Sequence, residues 1–271
     1  MIDEITRVDI HSHLVPGVDD GARTLEDSLE SIGRMVDLGV RAIVTTPHFN
    51  ASLLGGPMGV ARIEEVEAAF SELSEAVRRQ YPDVWLARGF EIMMDDPDPD
   101  LSDPRLRMAG TDFVLIEWPS MQVPPGTESA VRRLVSRGWH PIVAHPERYR
   151  APQAMVPLAQ SWKHAGAFLQ VNIGSLVGRY GARAERRAWE LLQAGKADYL
   201  ASDHHGRPHI ELQLDEVVAK LEERGADEQV KTLLRSNPRR IIDGLEPLPV
   251  RPVEADTGWR AKIKKLFQTE A

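Results

Sequence analysis

The sequence predicts an α/β fold, a (βα) barrel of seven strand–helix units around a parallel sheet. Short β-branched runs alternate with longer amphipathic segments along most of the 271 residues, as expected when each strand is followed by a helix that covers it. Single α/β barrels run to ~250 residues, so one large domain accommodates residues 1–245.

Taken in order, the apolar runs place strand ends near Ile10, Thr46, Glu91, Glu117, Ala144, Val171 and Ser202. The amphipathic segments predict helices over 24–37, 60–80, 126–137, 152–165, 182–194, 209–224 and 226–235. Thr24 followed by Asp27 has the spacing of an N-terminal cap, and Pro208 stands where a first-turn proline belongs. Gly39, Gly138 and Gly195 follow helices, where a left-handed residue ends the last turn. Residues 49–59 form a Gly-rich loop with apolar side chains, longer than a simple connection requires and placed to act as a lid.

After Asn237-Pro238 the composition changes. Residues 246–258 carry Pro247, Pro249 and Pro252 and read as a semi-rigid linker. Residues 259–271 read as a basic amphipathic tail, with Trp259, Ile263, Leu266 and Phe267 on one helical face. An amphipathic helix docked on its own domain accounts for that pattern, and peripheral attachment to an acidic membrane is the alternative.

With 42% hydrophobic and 27% charged residues the chain has the composition of a globular protein with a sizeable core. A net charge of -8 opposes a phosphate backbone, so no nucleic-acid partner is expected. The absence of cysteine removes disulfides, thiolate metal sites and thiol nucleophiles. The acidic start Met1-Ile2-Asp3-Glu4-Ile5 lacks the basic and apolar regions of a secretory signal, and the expectation is a cytoplasmic protein.

The chemistry is visible in how the strands end. His11 and His13 are two residues apart at the end of the first strand, so the period-2 geometry turns both imidazoles to one face. His48, Glu91, Glu117 and His145 close the next four strands, and Asp203-His204-His205 follows the seventh. Only the sixth ends otherwise, with Asn172. Gly17-Val18-Asp19-Asp20-Gly21 alone reads as a turn. In a βα barrel the strand C-termini converge on one rim. Clustered carboxylates and imidazoles there would repel or stay unpaired without cations.

Nitrogen and oxygen donors without sulfur suit Mn²⁺, Zn²⁺ or Fe, and a carboxylate such as Glu91 can bridge two ions. Such ions acidify a bound water and clamp a phosphoryl group during in-line attack by hydroxide. Arg148 and Arg207 fall close to the same rim, and a guanidinium engages two phosphate oxygens at once. The pair favours a phosphate ester over a neutral amide.

These motifs resemble the PHP (polymerase and histidinol phosphatase) superfamily, and most of all the capsular-polysaccharide-type, manganese-dependent bacterial protein tyrosine phosphatases. Asp9-Ile10-His11-Ser12-His13-Leu14-Val15-Pro16-Gly17-Val18-Asp19-Asp20-Gly21 and Ala144-His145-Pro146-Glu147-Arg148-Tyr149 carry the resemblance, which spans residues 6–245. It implies a distorted seven-stranded TIM-like barrel with a three-metal site. Carried over by position, His11, His13, Glu91 and Asp203 would hold one metal, and Glu91, Glu117 and His145 a second. Asp20, His48 and His205 would hold the third, His205 keeping the Asp-x-His spacing and His204 being the alternative. Arg148 matches the phosphate-contacting arginine, and Arg207 resembles a second one. The 49–59 loop departs from the short polar loop of the family.

The implied activity is hydrolysis of phosphotyrosine on a partner protein, a bacterial tyrosine kinase of polysaccharide export. Tyrosine leaves as a phenoxide of pKa ~10, so a dedicated general acid is less necessary. A small-molecule phosphatase such as a histidinol-phosphate phosphatase is the enzymatic alternative, with a metal-dependent amidohydrolase more distant. A regulatory partner with structural metals is the non-catalytic one.

Overall fold

The computed structural model describes residues 6–151, 153–207 and 209–255. Pro208 and the tail over 259–271 lie outside the described residues. Nine strands run through the described residues: β1 (Arg7–Asp9), β2 (Val40–Thr45), β3 (His48–Asn50), β4 (Trp85–Arg88), β5 (Glu91–Met93), β6 (Phe113–Glu117), β7 (His140–Ala144), β8 (Phe168–Asn172) and β9 (Tyr199–Ala201). Every pairing is parallel, in one sheet ordered β1-β2-β4 and another ordered β3-β5-β6-β7-β8-β9.

The second and third predicted strands are each broken in two. Pro47 has no N–H to donate, and the Thr46 N–H turns to the Ser12 carbonyl at 2.7 Å, which ends β2. Gly89 ends β4, where its N–H meets the Thr45 carbonyl at 2.9 Å and a Cβ would come within 2.8 Å of the Met108 side chain. Both breaks fall at one level and keep one register, Thr45 opposite Arg88 and His48 opposite Glu91. Beyond β1 and β9 the edges are tied by main-chain bonds, Asp203 N–H to the His11 carbonyl and His13 N–H to the His204 carbonyl, each 2.8 Å.

Apart from the half-buried β4 and the exposed Asn50 of β3, the strands are largely buried on both faces, which explains their nearly continuous apolar sequence. Alternate residues, Val8 and Ile10, Ala42 and Val44, Phe113 and Leu115, Ile142 and Ala144, Tyr199 and Ala201, meet in one apolar cluster. Their neighbours, among them Ile43, Val114, Val143, Leu169 and Leu200, face the helices.

The helices that cover them are α1 (Leu25–Asp37), α2 (Pro57–Gln80), α3 (Thr127–Ser136), α4 (Met155–His164), α5 (Ala182–Gln193), α6 (Leu214–Glu223), α7 (Asp227–Lys231) and α8 (Asn237–Ile242). Thr24 caps α1 by accepting the Asp27 N–H at 3.1 Å, as the spacing predicts. Gly39, Gly138 and Gly195 all have positive φ, as expected of residues that end a helix.

Three boundaries differ from expectation. Helix α2 starts at Pro57, with β3 and a short 3₁₀ turn over Ala51–Leu53 before it. Most of the expected 49–59 loop is therefore regular structure. Helix α6 begins at Leu214 rather than near 209. The last predicted helix passes from α7 through a π-turn (Thr232–Ser236) into α8, past the predicted end, with the wider π-turn lying directly before Pro238.

Residues 246–255, most of them exposed, are tied to the preceding fold at Leu248 and Val253. Asn237 brackets Leu248, accepting its N–H at 2.8 Å and donating to its carbonyl at 3.0 Å, and Val253 is buried with its N–H on the Leu192 carbonyl.

Trp162 of α4 is fully buried, lies beside Trp118, and donates its indole N–H to the Thr127 hydroxyl at 3.0 Å. Trp162→Ala is expected to cost about 3–5 kcal/mol, from the cavity and the stranded hydroxyl together. Urea unfolding in chelator measures it, and a loss under about 1 kcal/mol would show that the site collapses around the smaller side chain.

Candidate metal centre

The strand ends deliver the ligand-type side chains to one place. Glu117 closes β6, Glu91 and His48 open β5 and β3 immediately after the two breaks, and His145 and Asp203 follow β7 and β9. His145 and Asp203 have φ of 34° and 50°, a left-handed backbone that non-glycine residues rarely adopt and that costs of order 1–3 kcal/mol. That turn aims each side chain back across the strand ends. Glycine is required at position 21, where a Cβ would lie 2.2 Å from the His13 carbonyl oxygen.

At the centre sits the Glu91 carboxylate. Its Oε2 lies 3.3 Å from His11 Nε2, 3.4 Å from His13 Nε2 and 3.1 Å from His48 Nδ1, while Oε1 accepts from His145 Nε2 at 2.8 Å. Asp203 Oδ1 is 3.5 Å from both His11 Nε2 and His13 Nε2, which are 3.3 Å from each other. On the outer side Asp20 Oδ1 is 3.4 Å from His48 Nε2 and 3.5 Å from His205 Nε2, and Glu117 Oε1 is 3.3 Å from His48 Nδ1.

The donor atoms form four overlapping groups, each with all its atoms within 4.8 Å of one another: His11, His13 and Asp203; His11, Glu91 and His145; His48, Glu91 and Glu117; and His13, Asp20, His48 and His205. All nine expected ligand positions are brought together. The partition differs from the expected one, in that Glu117 groups with His48 rather than His145, and His13 also belongs to the outer group. His205 joins the cluster. Its neighbour His204 is buried apart from it with neither ring nitrogen bonded, and burial, helped by nearby arginines, lowers its pKa to about 3.

The residues fit cations. His11 Nε2 and His13 Nε2 lie 3.3 Å from each other and 3.3–3.5 Å from both Glu91 Oε2 and Asp203 Oδ1. Donors ~2.1 Å from one tetrahedral ion are separated by about 3.4 Å. Glu91 Oε2 and His48 Nδ1 are buried without a hydrogen-bond partner, leaving lone pairs in dry surroundings.

Burial opposes charge on Glu91 and Asp203, yet the surrounding imidazoles, His11 foremost, hold both carboxyls well below the usual range. Burial likewise works against protonation of His11, His13 and His48. The facing carboxylates outweigh it and raise all three, Glu91 leading for His11, Asp19 for His13 and Asp20 for His48. Asp20 is lowered to about 2 by its hydrogen bond from His48.

Two further groups shape the site. Asp19 accepts from His13 Nδ1 at 2.7 Å and from the Gly21 and His48 main-chain N–H groups. Its sequence context showed only the turn, although its adjacency to Asp20 was a signal. The Arg148 guanidinium donates to Asp203 Oδ2 at 2.6 Å and lies 4.3 Å over the Tyr180 ring. Arg207 donates instead to the Asp20 main-chain carbonyl at 2.8 Å, at the outer edge. The inner histidines and Glu91 are fully buried, whereas the side chains of Asp20, His48 and His205 are 64%, 30% and 23% exposed. The cluster opens on that side.

Fold and centre together define a parallel α/β protein with an imidazole–carboxylate centre at its strand ends. The chain belongs to the capsular polysaccharide synthesis CpsB/CapC family, whose model matches residues 7–243. It is 32% identical over 200 residues to the tyrosine-protein phosphatase YwqE of Bacillus subtilis (strain 168), covering 73% of this chain and 77% of that one. It is 27% identical over 252 residues to the tyrosine-protein phosphatase CpsB of Streptococcus pneumoniae, covering 87% and 98%. Among solved structures it is similar, at TM-score 0.72 and 28% identity over 92% of this chain and all of the other, to one from work on YwqE and CpsB, described as unique metal-dependent tyrosine phosphatases.

Protons on His11, His13 and His48 must leave before a cation takes those nitrogens. Cation binding is therefore expected to release protons, with apparent affinity rising with pH above ~6.5, the unperturbed histidine value. Calorimetry in buffers of different ionisation enthalpy reads the release, and an affinity flat with pH would contradict it.

Proposed function

We propose that this protein is a metal-dependent phosphatase that hydrolyses phosphotyrosine on a partner protein, a bacterial tyrosine kinase of polysaccharide export being the expected substrate. The close-set donors His11, His13, Glu91 and Asp203, inside a family whose relatives are named tyrosine-protein phosphatases, are the observation that carries this reading. In this reading the nine strands are seven βα units of a distorted barrel of the PHP type, two of its strands being broken. The family resemblance would give a second cation to Glu91, Glu117 and His145 and a third to Asp20, His48 and His205, whereas the donor atoms gather as His11, Glu91 and His145, as His48, Glu91 and Glu117, and as His13, Asp20, His48 and His205. The donors are nitrogen and oxygen alone, which supports Mn²⁺, with Zn²⁺ and Fe as the other candidates that metal analysis distinguishes. Cations there supply Lewis acidity to the phosphoryl oxygens and acidify a water.

The chain's own groups bind and orient. Arg148 is anchored on one side by Asp203 Oδ2 and on its face by Tyr180, which leaves the rest of its donor fork to grip two phosphate oxygens. Burial lowers its proton affinity and the Asp203 charge more than restores it, so it stays cationic. Arg207, at the exposed edge beside Asp20, is placed to meet phosphate as it enters. Departure of a phenoxide needs no strong acid, and no general acid is assigned.

Stripped protein reconstituted with Mn²⁺ is expected to release phosphate from a phosphotyrosine peptide and not from a phosphoserine control, and chelation should abolish turnover. Arg148→Ala is expected to lower kcat/KM about 100-fold, the usual cost of one preorganised donor to a developing anion. Verified metal binding with no turnover of phosphotyrosine would refute the reading, and preferred turnover of a small phosphomonoester would reassign the substrate.

A further inference from the structure

β8, the sixth of the seven strands expected from the sequence, is the one of those seven without a ligand-type residue at its end, and it carries two buried amides instead. Phe168, Gln170 and Asn172 share one face of β8. Phe168 packs against the apolar cluster between the strands, and the next two positions reach the level of the metal centre. Both amides are fully buried, where an unbonded amide costs about 1–3 kcal/mol.

Their hydrogen bonds form one chain. Asn172 Nδ2 donates to Asp203 Oδ2 at 2.6 Å, Gln170 Nε2 donates to Asn172 Oδ1 at 2.8 Å, and Gln170 Oε1 lies 2.8 Å from His11 Nδ1. A carboxylate can only accept, so the end of Asn172 that faces Asp203 must be its NH₂ group. The Asn172 carbonyl must then accept from Gln170, whose own carbonyl is left to face His11. That carbonyl can only accept, so His11 Nδ1 carries the proton. In the neutral ring Nε2 is then a bare lone pair, and Nε2 is the nitrogen that lies among Glu91, Asp203 and His13.

We propose that Gln170 and Asn172 are positioning residues that act as a directional relay: the charge on Asp203 sets the orientation of both amides and, through them, the tautomer and tilt of His11. The relay couples two members of one donor set, His11 and Asp203, which share no hydrogen bond among the described residues. It also secures the Asp203 carboxylate by Oδ2, leaving Oδ1 turned to His11 and His13. This inference rests on the reading of the cluster as a cation site.

The test follows Mn²⁺ uptake by the stripped full-length protein from the loss of the free-ion EPR signal, with Gln170→Met, Asn172→Leu and the double variant beside the wild type. Each single variant is expected to bind Mn²⁺ ~10–100-fold more weakly, the usual cost of losing a group that orients a metal ligand. The double variant should lose little more than the worse single one, because either change interrupts the same chain. Urea midpoints of the stripped proteins identify any variant that has simply failed to fold. An independent readout uses the Zn²⁺-loaded wild type, whose long-range ¹H–¹⁵N spectrum should show a protonated His11 Nδ1. Wild-type protein that takes up no cation overturns the metal reading, and the relay with it. Wild-type uptake matched by folded variants, fully additive losses, or an unprotonated His11 Nδ1 overturns the relay alone.

Discussion

A buried carboxylate among four imidazoles is the arrangement on which the rest of this protein depends. Glu91 is fully enclosed, and bringing an ionised carboxyl into such surroundings without partners costs several kcal/mol even after relaxation. Its neighbours His11, His13, His48 and His145 answer that cost only if three separate strands bring them within about one donor–donor distance of it. The parallel strands do this, since their C-terminal ends all point one way. The breaks at Thr46-Pro47 and Gly89-Phe90 matter for the same reason: they sit at one level, hold one register, and set His48 opposite Glu91.

Backbone strain is spent where aim matters. His145 and Asp203 hold left-handed conformations, and both occur where a strand has ended and a side chain must turn back over the strand ends. The surrounding contacts keep them there. Glu147 accepts from the Asn172 N–H and the Ser175 hydroxyl, which pins the turn after His145 to the segment after β8. Asp203 is held by its own N–H on the His11 carbonyl and by Asn172 and Arg148 on Oδ2.

Much of this was legible in the sequence because period-2 alternation and a repeated placement are local signals. His11 and His13 face one way because they are two apart, and Glu117 follows Phe113 and Leu115 on the same face for the same reason. The strand breaks were not legible, since the sheet exchange is decided by partners far along the chain, Ser12 for Thr46 and Thr45 for Gly89. The start of α2 was overlooked although Gly56-Pro57 signals a helix N-terminus, because the glycines on either side suggested a loop. Asn172 stands out in the sequence only as the strand end that lacks a ligand, and Gln170 not at all, because a neutral amide has no charge to mark it and only the fold shows what lies at either end of it.

The centre is asymmetric, and the asymmetry bears on which substrates reach it. The donors shared by His11, His13, Glu91 and Asp203 are sealed from solvent, while Asp20, His48 and His205 line the open side. Those outer residues do not share one rigid support: Asp20 lies in the turn after the first strand, His48 opens β3, and His205 follows β9. Arg148 is stacked on Tyr180 and paired with Asp203, whereas Arg207, at the edge, donates to a main-chain carbonyl. A preorganised inner clamp with an exposed outer edge suits a phosphate presented on a macromolecule, whose bulk stays outside while the ester oxygen meets fixed charges within. A site enclosed all round would instead have selected a small ester that fits wholly inside.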